Sequence, residues 1–173
     1  MAEIIVAKTA GFCFGVARAV EQVESLLKKN EKVCTLGPLI HNPVFVSELE
    51  DRGARVISCL DEVKEDEMLV IRSHGISRTV FNEIIYRKLR YSDLTCPFVS
   101  KIHKIVSNTN YECDIIIVIG DKDHPEVIGI VGHSNAKAYV LRGEKEVREK
   151  KMQRKCGVQE RKKNRKSKKG RRL

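Results

Sequence analysis

The chain has 173 residues, 42% of them hydrophobic, which is enough for one ordinary domain or two small ones with a buried core. Its formal net charge of +10 is unevenly placed, because residues 142–173 contain 16 basic and 4 acidic residues whereas residues 1–141 contain 17 and 19. The basic character therefore belongs to the C-terminal segment, and it does not make the preceding residues a nucleic-acid-binding domain.

Predicted strands and helices alternate along residues 4–141. The strands are predicted at 4–7, 33–36, 54–57, 68–71, 91–95, 114–119 and 138–141, and helices follow most of them. This alternation predicts an α/β fold with a parallel sheet and right-handed crossovers. The run at 114–119 is continuously apolar, which is typical of a strand buried on both faces. From Glu144 onward the apolar pattern is lost, so we expect residues 142–173 to form a disordered, basic tail.

Reactive side chains follow several predicted strands, each just before a helix start. They are Cys13, His41, His74, Cys96 and His124. Prolines or possible capping residues come next in the chain, as expected at the first turn of a helix. Because the carboxyl ends of parallel strands meet at one edge of a sheet, we expect these five side chains and Glu126 to lie on one rim.

These residue types suit two kinds of site. A cysteine at a helix N-terminus is favoured as a thiolate, and thiolates suit soft metals or iron–sulfur clusters, although Cys13 and Cys96 could equally be separate structural residues. Histidines at neighbouring strand ends can hold an anion or ligate a metal. Glu126 could alternatively serve as a helix cap. His103 is predicted to lie on a helix face and His133 to be structural.

The apolar segments and the cysteine pattern argue against several classes of protein. No stretch approaches the ~18 apolar residues of a membrane span and the first residues do not resemble a signal peptide, so we expect a cytoplasmic protein without a membrane partner. Six cysteines in a reducing compartment argue against disulfides, and the absence of a Cys-x-x-Cys pair argues against a zinc ribbon. Cys34, Cys59 and Cys113 are predicted to be small buried residues.

Five segments carry the candidate residues. They read Gly11-Phe12-Cys13-Phe14-Gly15-Val16-Ala17-Arg18-Ala19, Gly37-Pro38-Leu39-Ile40-His41-Asn42, Ile71-Arg72-Ser73-His74-Gly75-Ile76, Asp93-Leu94-Thr95-Cys96-Pro97 and His124-Pro125-Glu126-Val127-Ile128-Gly129. Together, and in this order, they resemble the N-terminal half of the 4-hydroxy-3-methylbut-2-enyl diphosphate reductases, the LytB family, over residues 1 to about 141. The resemblance implies three similar α/β units in a trefoil-like arrangement. Residues 1–96 would be the first unit, residues 97–141 part of the second, and 142–173 an unrelated tail.

The resemblance also implies an activity and a cofactor. It implies reductive removal of an allylic hydroxyl, which yields isopentenyl and dimethylallyl diphosphate in the last step of the non-mevalonate isoprenoid pathway. Electrons would come from reduced ferredoxin or flavodoxin, through a [4Fe–4S] cluster held by three cysteines. The residues that it assigns are Cys13 and Cys96 as cluster ligands, His41, His74 and His124 in the diphosphate site, and Glu126 as proton donor.

One departure from the family leaves alternatives open. The family's third cysteine belongs to C-terminal sequence that this chain lacks, and Cys156 stands in the basic segment without the family's surrounding motif, so it is not assigned. We interpret the chain as a truncated or frame-shifted reductase. The alternatives are a nucleic-acid-associated protein that uses the basic tail on an old enzyme fragment, and a small metal- or phosphate-binding module without turnover.

Overall fold

Two parallel sheets organise the computed structural model of the protein, which describes residues 4–8, 10–112 and 114–153. The first sheet has the order β2-β1-β3-β4, and the second pairs β5 with β6. The strands are β1 (Lys32–Leu36), β2 (Ala54–Ile57), β3 (Glu67–Ile71), β4 (Tyr91–Asp93), β5 (Ile115–Ile119) and β6 (Lys137–Leu141). The predicted α/β class is confirmed. The predicted division near residue 96 falls between the two sheets and stays a prediction.

The helices begin where the sequence provides helix starts. They are α1 (Phe14–Lys28), α2 (Pro43–Asp51), α3 (Arg78–Tyr86), α4 (Pro97–Ser107), α5 (Pro125–His133) and α6 (Glu144–Gln153), with a short 3-10 helix at Leu60–Glu62. Proline occupies the first turn of α2, α4 and α5, where its missing N–H costs nothing. Asn42 and Ser77 cap α2 and α3 with their side-chain oxygens. In the described part of the chain, no helix is long and apolar enough to cross a bilayer.

The first sheet is buried on both faces. One core cluster is built from α1, α2 and the sheet and includes Ala19, Val23 and Val70, and the other includes Ile84 of α3. Cys34, on β1, is fully buried in this second cluster, as predicted, and burial raises the pKa of its thiol to about 12. These two layers of helices fix the sheet's position, so the loops at its edges have a rigid support.

Two other cysteine predictions have different outcomes. Cys59 is exposed, so the prediction that it is buried was wrong. It precedes the 3-10 helix as its N-cap, and its backbone N–H and thiol both donate to the Glu62 carboxylate. That position requires a surface turn rather than a core. Cys113 lies outside the described residues.

A partly buried ion pair fixes the amino-terminal edge of the first sheet. Arg55 of β2 donates to both carboxylate oxygens of Glu67 on β3, at 2.9 and 2.7 Å, and the Lys64 backbone N–H donates to the same group at 2.9 Å. The Arg55 hydrogen bonds hold the pKa of the Glu67 carboxyl at about 2. The pair spans β1, which lies between the two strands, so it ties three strands together.

Three segments differ from the sequence-based expectations. Residues 4–7 are not a strand, because Ile4, Ile5 and Val6 are 75–89% exposed and the described residues offer them no strand to pair with. The strand β5 is not buried on both faces, since its side chains alternate between exposed and half-buried. Among the described residues, one further strand and one layer of helices accompany β5, so the side that carries Ile117 and Ile119 faces solvent.

The start of the basic segment is helical instead of disordered. Within α6, Arg148 donates to the Glu144 carboxylate one turn earlier, and the Glu146 carboxylate accepts the Arg142 backbone N–H at 2.9 Å. Opposite charges at this spacing, with an acceptor for a free N–H at the helix start, stabilise a helix that has no apolar face. Residues 154–173 of the predicted tail, Cys156 included, lie outside the described residues.

Helices α4 and α5 meet the turn after β3 around one buried histidine. His103 is 7% exposed, and its ring stacks on His133 with 4.2 Å between ring centroids. A Cβ added at Gly75 would come within 2.8 Å of the His103 ring, and one at Gly129 within 3.0 Å. The ring therefore fills a gap that only glycines leave open. His133 is held as predicted, with its Nε2 3.0 Å from the Ile76 carbonyl oxygen.

This arrangement predicts an acid-sensitive contact. Burial, followed by the neighbouring His133, lowers the pKa of His103 from 6.5 to about 4. Between those values the unfolded chain binds a proton that the folded chain does not, so stability falls as the pH falls from 6.5 toward 4, by up to about 3 kcal/mol for this group. In His103→Leu we expect a flatter dependence of the urea-unfolding midpoint on pH over this window. Lys104→Gln, on the exposed side of the same helix, is the control, and an unchanged slope in His103→Leu would contradict the assignment.

Candidate functional site

Three histidines from separate loops come together at one place. The ring centroids of His41 and His74 are 4.9 Å apart, and that of His124 is 5.9 Å from each of them. His41 follows β1, His74 follows β3, and His124 follows β5. The sequence-predicted convergence of these three side chains is thus present in the structure. We call these three residues the histidine trio.

The loops that carry His41 and His74 leave the same edge of the first sheet. Strands β1 and β3 are adjacent and parallel, with Thr35 in register with Val70, so their carboxyl ends coincide. After β1 the chain turns at Gly37, whose φ of +74° suits glycine, and Asn42 caps α2 directly after His41. After β3 the Gly75 N–H donates to the Arg72 carbonyl and closes the turn that holds His74.

His124 is held in place by the helix that follows it. It is the N-cap residue of α5, and its Nδ1 accepts the Glu126 backbone N–H at 3.3 Å. In the neutral ring the proton is therefore on Nε2, which leaves an N–H donor for a ligand. Glu126 lies in the first turn of α5, two residues after His124, and its side chain is half-buried.

The trio lies in a partly desolvated, positively biased environment. Burial lowers the pKa of His74 to about 4, with further contributions from the charge of Arg72 and from the other two imidazoles. The His74 Nδ1 is buried and has no hydrogen-bond partner among the described residues. A buried imidazole nitrogen without a partner costs free energy, so the site is prepared for a ligand that hydrogen-bonds it.

Cys13 and Cys96 occupy equivalent positions at two helix starts. Cys13 is the exposed N-cap residue of α1, Cys96 is the half-buried N-cap residue of α4, and neither thiol caps its helix. The first turn of α1 packs onto Cys96, because a Cβ added at Gly15 would lie 2.6 Å from the Cys96 sulfur. The two helix starts therefore lie close together, and the pairing of these cysteines as cluster ligands stays a prediction.

One backbone and one side-chain hydrogen bond connect the cysteine region, and the first of them leads to the turn that carries His74. The Cys96 N–H donates to the Ser73 carbonyl at 3.0 Å, next to His74, and Arg18 of α1 donates to the Thr95 carbonyl at 3.1 Å. Cys96 is thus one hydrogen bond away from the turn that carries His74. The elements after β3 and β4 form a single rigid rim.

The thiols fit part of an iron–sulfur ligand set. Two sulfur donors at convergent helix starts, with a glycine where a side chain would collide, suit a soft metal cluster. Across the described residues, however, no group of three or more His, Cys, Asp or Glu side chains is placed to hold a metal ion. At least one further ligand would have to come from outside these residues.

Arg72 is a member of this region that sequence reasoning did not select. Its half-buried guanidinium lies over Gly37, where an added Cβ would come within 2.8 Å of Nη1, and that nitrogen donates to the Pro38 carbonyl at 3.3 Å. Arginine next to a strand end is common in surface loops, so the sequence carried no signal for this position. The neighbouring Ser73-His74-Gly75 turn could have drawn attention to it.

Three comparisons, with a family model, with protein sequences and with solved structures, identify the same family. The model of the LytB protein family matches residues 4–166, which extends beyond the limit of about 141 given to the resemblance above. The 4-hydroxy-3-methylbut-2-enyl diphosphate reductase of Clostridioides difficile is 44% identical over 143 residues, which cover 80% of this chain and 50% of the relative. The Geobacter metallireducens protein of the same name is 40% identical over 156 residues, with 90% and 55% covered.

Solved structures agree with these sequence matches. A structure of (E)-4-hydroxy-3-methyl-but-2-enyl diphosphate reductase, the terminal enzyme of the non-mevalonate pathway, matches with a TM-score of 0.71 and 40% identity, over 86% of this chain and 54% of its own. The Plasmodium falciparum reductase matches with a TM-score of 0.76 and 34% identity, over 82% and 45%. The chain spans about half the length of the relatives it matches. None of these matches supports a nucleic-acid-associated role.

The contact between Gly15 and Cys96 gives a prediction. In Gly15→Ala the new methyl group would meet the Cys96 sulfur at 2.6 Å and its Cβ at 3.0 Å. We expect a loss of about 1–3 kcal/mol of unfolding free energy from overpacking, which outweighs the gain in helix propensity. The helix starts should also separate, so Cys96 should be alkylated faster by iodoacetamide, as followed by mass spectrometry. Gly143→Ala, where an added Cβ meets nothing within 4 Å, is the matched control. Equal stability and labelling in both variants would contradict the contact.

Proposed function

The chain belongs to the LytB family, and from this premise we propose that it forms the substrate-binding half of a 4-hydroxy-3-methylbut-2-enyl diphosphate reductase. The reaction removes the allylic hydroxyl as water, with two electrons and two protons, and gives isopentenyl and dimethylallyl diphosphate. The observation that carries the proposal is the histidine trio, three imidazoles within 5.9 Å of one another at the carboxyl ends of separate strands. Such a cluster suits an anionic group with several oxygens.

In this proposal the trio binds the diphosphate of the substrate. The neutral His124 ring offers its Nε2–H as a donor, and the unpartnered Nδ1 of His74 gains a partner when it is protonated beside an anion. His41 is exposed and lies next to an open cleft lined by Pro38, Asn42 and Glu50, through which a ligand can approach. The rigid turns around the trio keep the imidazoles in position before the ligand arrives.

Glu126 is proposed as the proton donor of the reaction. Its carboxyl is half-buried in the first turn of α5, and its backbone N–H orients His124. Protonated, the carboxyl can deliver a proton to the allylic part of a substrate whose diphosphate is held by the adjacent trio. The position thus links substrate binding and proton transfer through neighbouring residues of one helix start.

Cys13 and Cys96 would hold part of a [4Fe–4S] cluster, with the remaining ligation supplied from outside the described residues. When bound, such a cluster supplies single electrons and a Lewis-acidic iron. Reduced ferredoxin or flavodoxin is the proposed electron donor, and the cytoplasm the proposed compartment. The thiols would contribute as sulfur donors at two helix starts that lie close together.

The role of the trio can be measured without turnover. We expect this chain to bind inorganic pyrophosphate at pH 7 and low ionic strength, and His74→Asn to weaken that binding ~10-fold, the scale of one charge-assisted hydrogen bond. Isothermal titration calorimetry gives both dissociation constants. His133→Asn removes an imidazole outside the trio and is the control. Equal affinities of wild type and His74→Asn would contradict the role of His74.

The role of Glu126 requires the complete enzyme. A chimera in which this chain replaces the matching half of the Clostridioides difficile reductase would provide it. There, Glu126→Gln should lower turnover by ~100-fold or more, the usual scale for a lost general acid, while pyrophosphate affinity changes little. Glu48→Gln, at an exposed carboxylate outside this cleft, is the carboxylate control. Turnover near that of the parent chimera would reduce Glu126 to a structural residue of the helix start.

A further inference from the structure

Arg72 carries a charge that the protein itself does not neutralise. Its side chain is half-buried, and burial lowers the pKa of the guanidinium. Within the described ranges it forms no ion pair with a carboxylate, and the hydrogen bond found for it goes to the neutral Pro38 carbonyl. Its Nε is buried and has no hydrogen-bond partner there.

A desolvated cation without a partner costs free energy, and proteins normally pair or hydrate such groups. The Pro38 bond does not explain it, because a neutral amide side chain could donate to the same carbonyl without bringing a buried charge. The surroundings favour an anion as the missing partner. Arg72 interacts electrostatically with His74, two residues further on, which in turn faces His41 and His124. Four basic side chains therefore share one region, and two of them have buried nitrogens without partners.

We propose that Arg72 is a further anion-binding residue of this site and contributes a permanently charged guanidinium beside the histidine trio. The proposal rests on the proposed function, since the anion it would bind is the substrate's diphosphate. Imidazoles are neutral for much of the time near pH 7, whereas guanidinium stays protonated. Arg72 therefore attracts the anion before any imidazole takes up a proton, and its Nε–H and Nη–H groups suit phosphate oxygens.

The geometry also gives Arg72 a way to respond to a ligand. The guanidinium lies over the Gly37 backbone and contacts the turn that leads to His41, while its own backbone begins the turn that holds His74. An anion bound by this side chain would therefore contact both loops at once. Gly37 leaves the room for this placement, because an added Cβ would lie 3.0 Å from Cζ of Arg72.

The test measures pyrophosphate binding by calorimetry on the full chain at pH 7 and low ionic strength. We expect Arg72→Gln to weaken binding ~10-fold or more, as for other hydrogen bonds to charged groups. Arg52→Gln has the same change in net charge, at an exposed arginine that pairs with Glu24, and should bind within about twofold of wild type. Circular dichroism checks folding. If Arg72→Gln does not fold, Arg72→Lys decides instead, since it keeps the charge and loses the planar fork, and we expect it to bind ~3-fold or more weakly.

The outcomes separate this inference from the proposed function. If Arg72→Gln binds like wild type while His74→Asn is weaker, the inference is overturned and the trio stands. If Arg72→Gln is weaker while His74→Asn is not, Arg72 is confirmed and the role of His74 is wrong. If Arg72→Lys replaces an unfolded glutamine variant and binds like wild type, the inference is overturned. Absence of pyrophosphate binding by the wild-type chain would overturn both.

Discussion

The packing of His103 between two glycine-containing segments is the contact on which the geometry of the site depends. His41 and His74 leave one edge of a single sheet, so the ladder between β1 and β3 fixes their relation. His124 comes from the second sheet, and it meets them only because α5 packs against the turn after β3. That packing includes the His103 ring against Gly75 and Gly129, together with the contact between His133 and the Ile76 carbonyl oxygen. A methyl group at either glycine would collide with the His103 ring. Relief of that collision would shift α5, and His124 would move with it.

The electrostatics of the rim follow from the same packing. Loops drawn together by sheet and helix contacts bring basic side chains into a partly desolvated space, where charge on any one of them disfavours charge on the others. Repulsion between these side chains is reduced because His74 is neutral near pH 7, with a pKa of about 4. Buried nitrogens of Arg72 and His74 have no hydrogen-bond partners among the described residues. In a fully packed core, buried nitrogens without hydrogen-bond partners would destabilise the fold. At a rim of strand ends they are the observation on which the proposed anion site is based.

The sequence allowed the positions of the site residues to be predicted, but not the contacts that hold them. The order of strand, reactive residue and helix start correctly brought His41 and His74 together, because they follow adjacent parallel strands of one sheet. His124 follows a strand of the second sheet, and it joins them through the packing of α5, which this order does not specify. The sequence-based expectation failed for residues 4–7 and for the outer face of β5, since whether an apolar run is buried depends on which elements lie beside it. Arg72 was missed for a related reason: a half-buried, unpaired charge is defined by the absence of a carboxylate in space, and sequence does not contain that information.

Arginine is charged at every relevant pH, whereas histidine is charged only when it is protonated. This difference explains why an anion-binding site would combine the two residue types. An anion entering the trio raises the pKa of His74, so binding is coupled to proton uptake at pH values between the free value of about 4 and the raised value in the complex. That proton costs more free energy as the pH rises, and a site of imidazoles alone would lose affinity steeply toward neutrality. A guanidinium, which remains charged, supplies a contribution that does not depend on pH. Arg72 would thus set a lower limit to anion affinity, and the imidazoles would adjust that affinity and release the anion when their protons are lost.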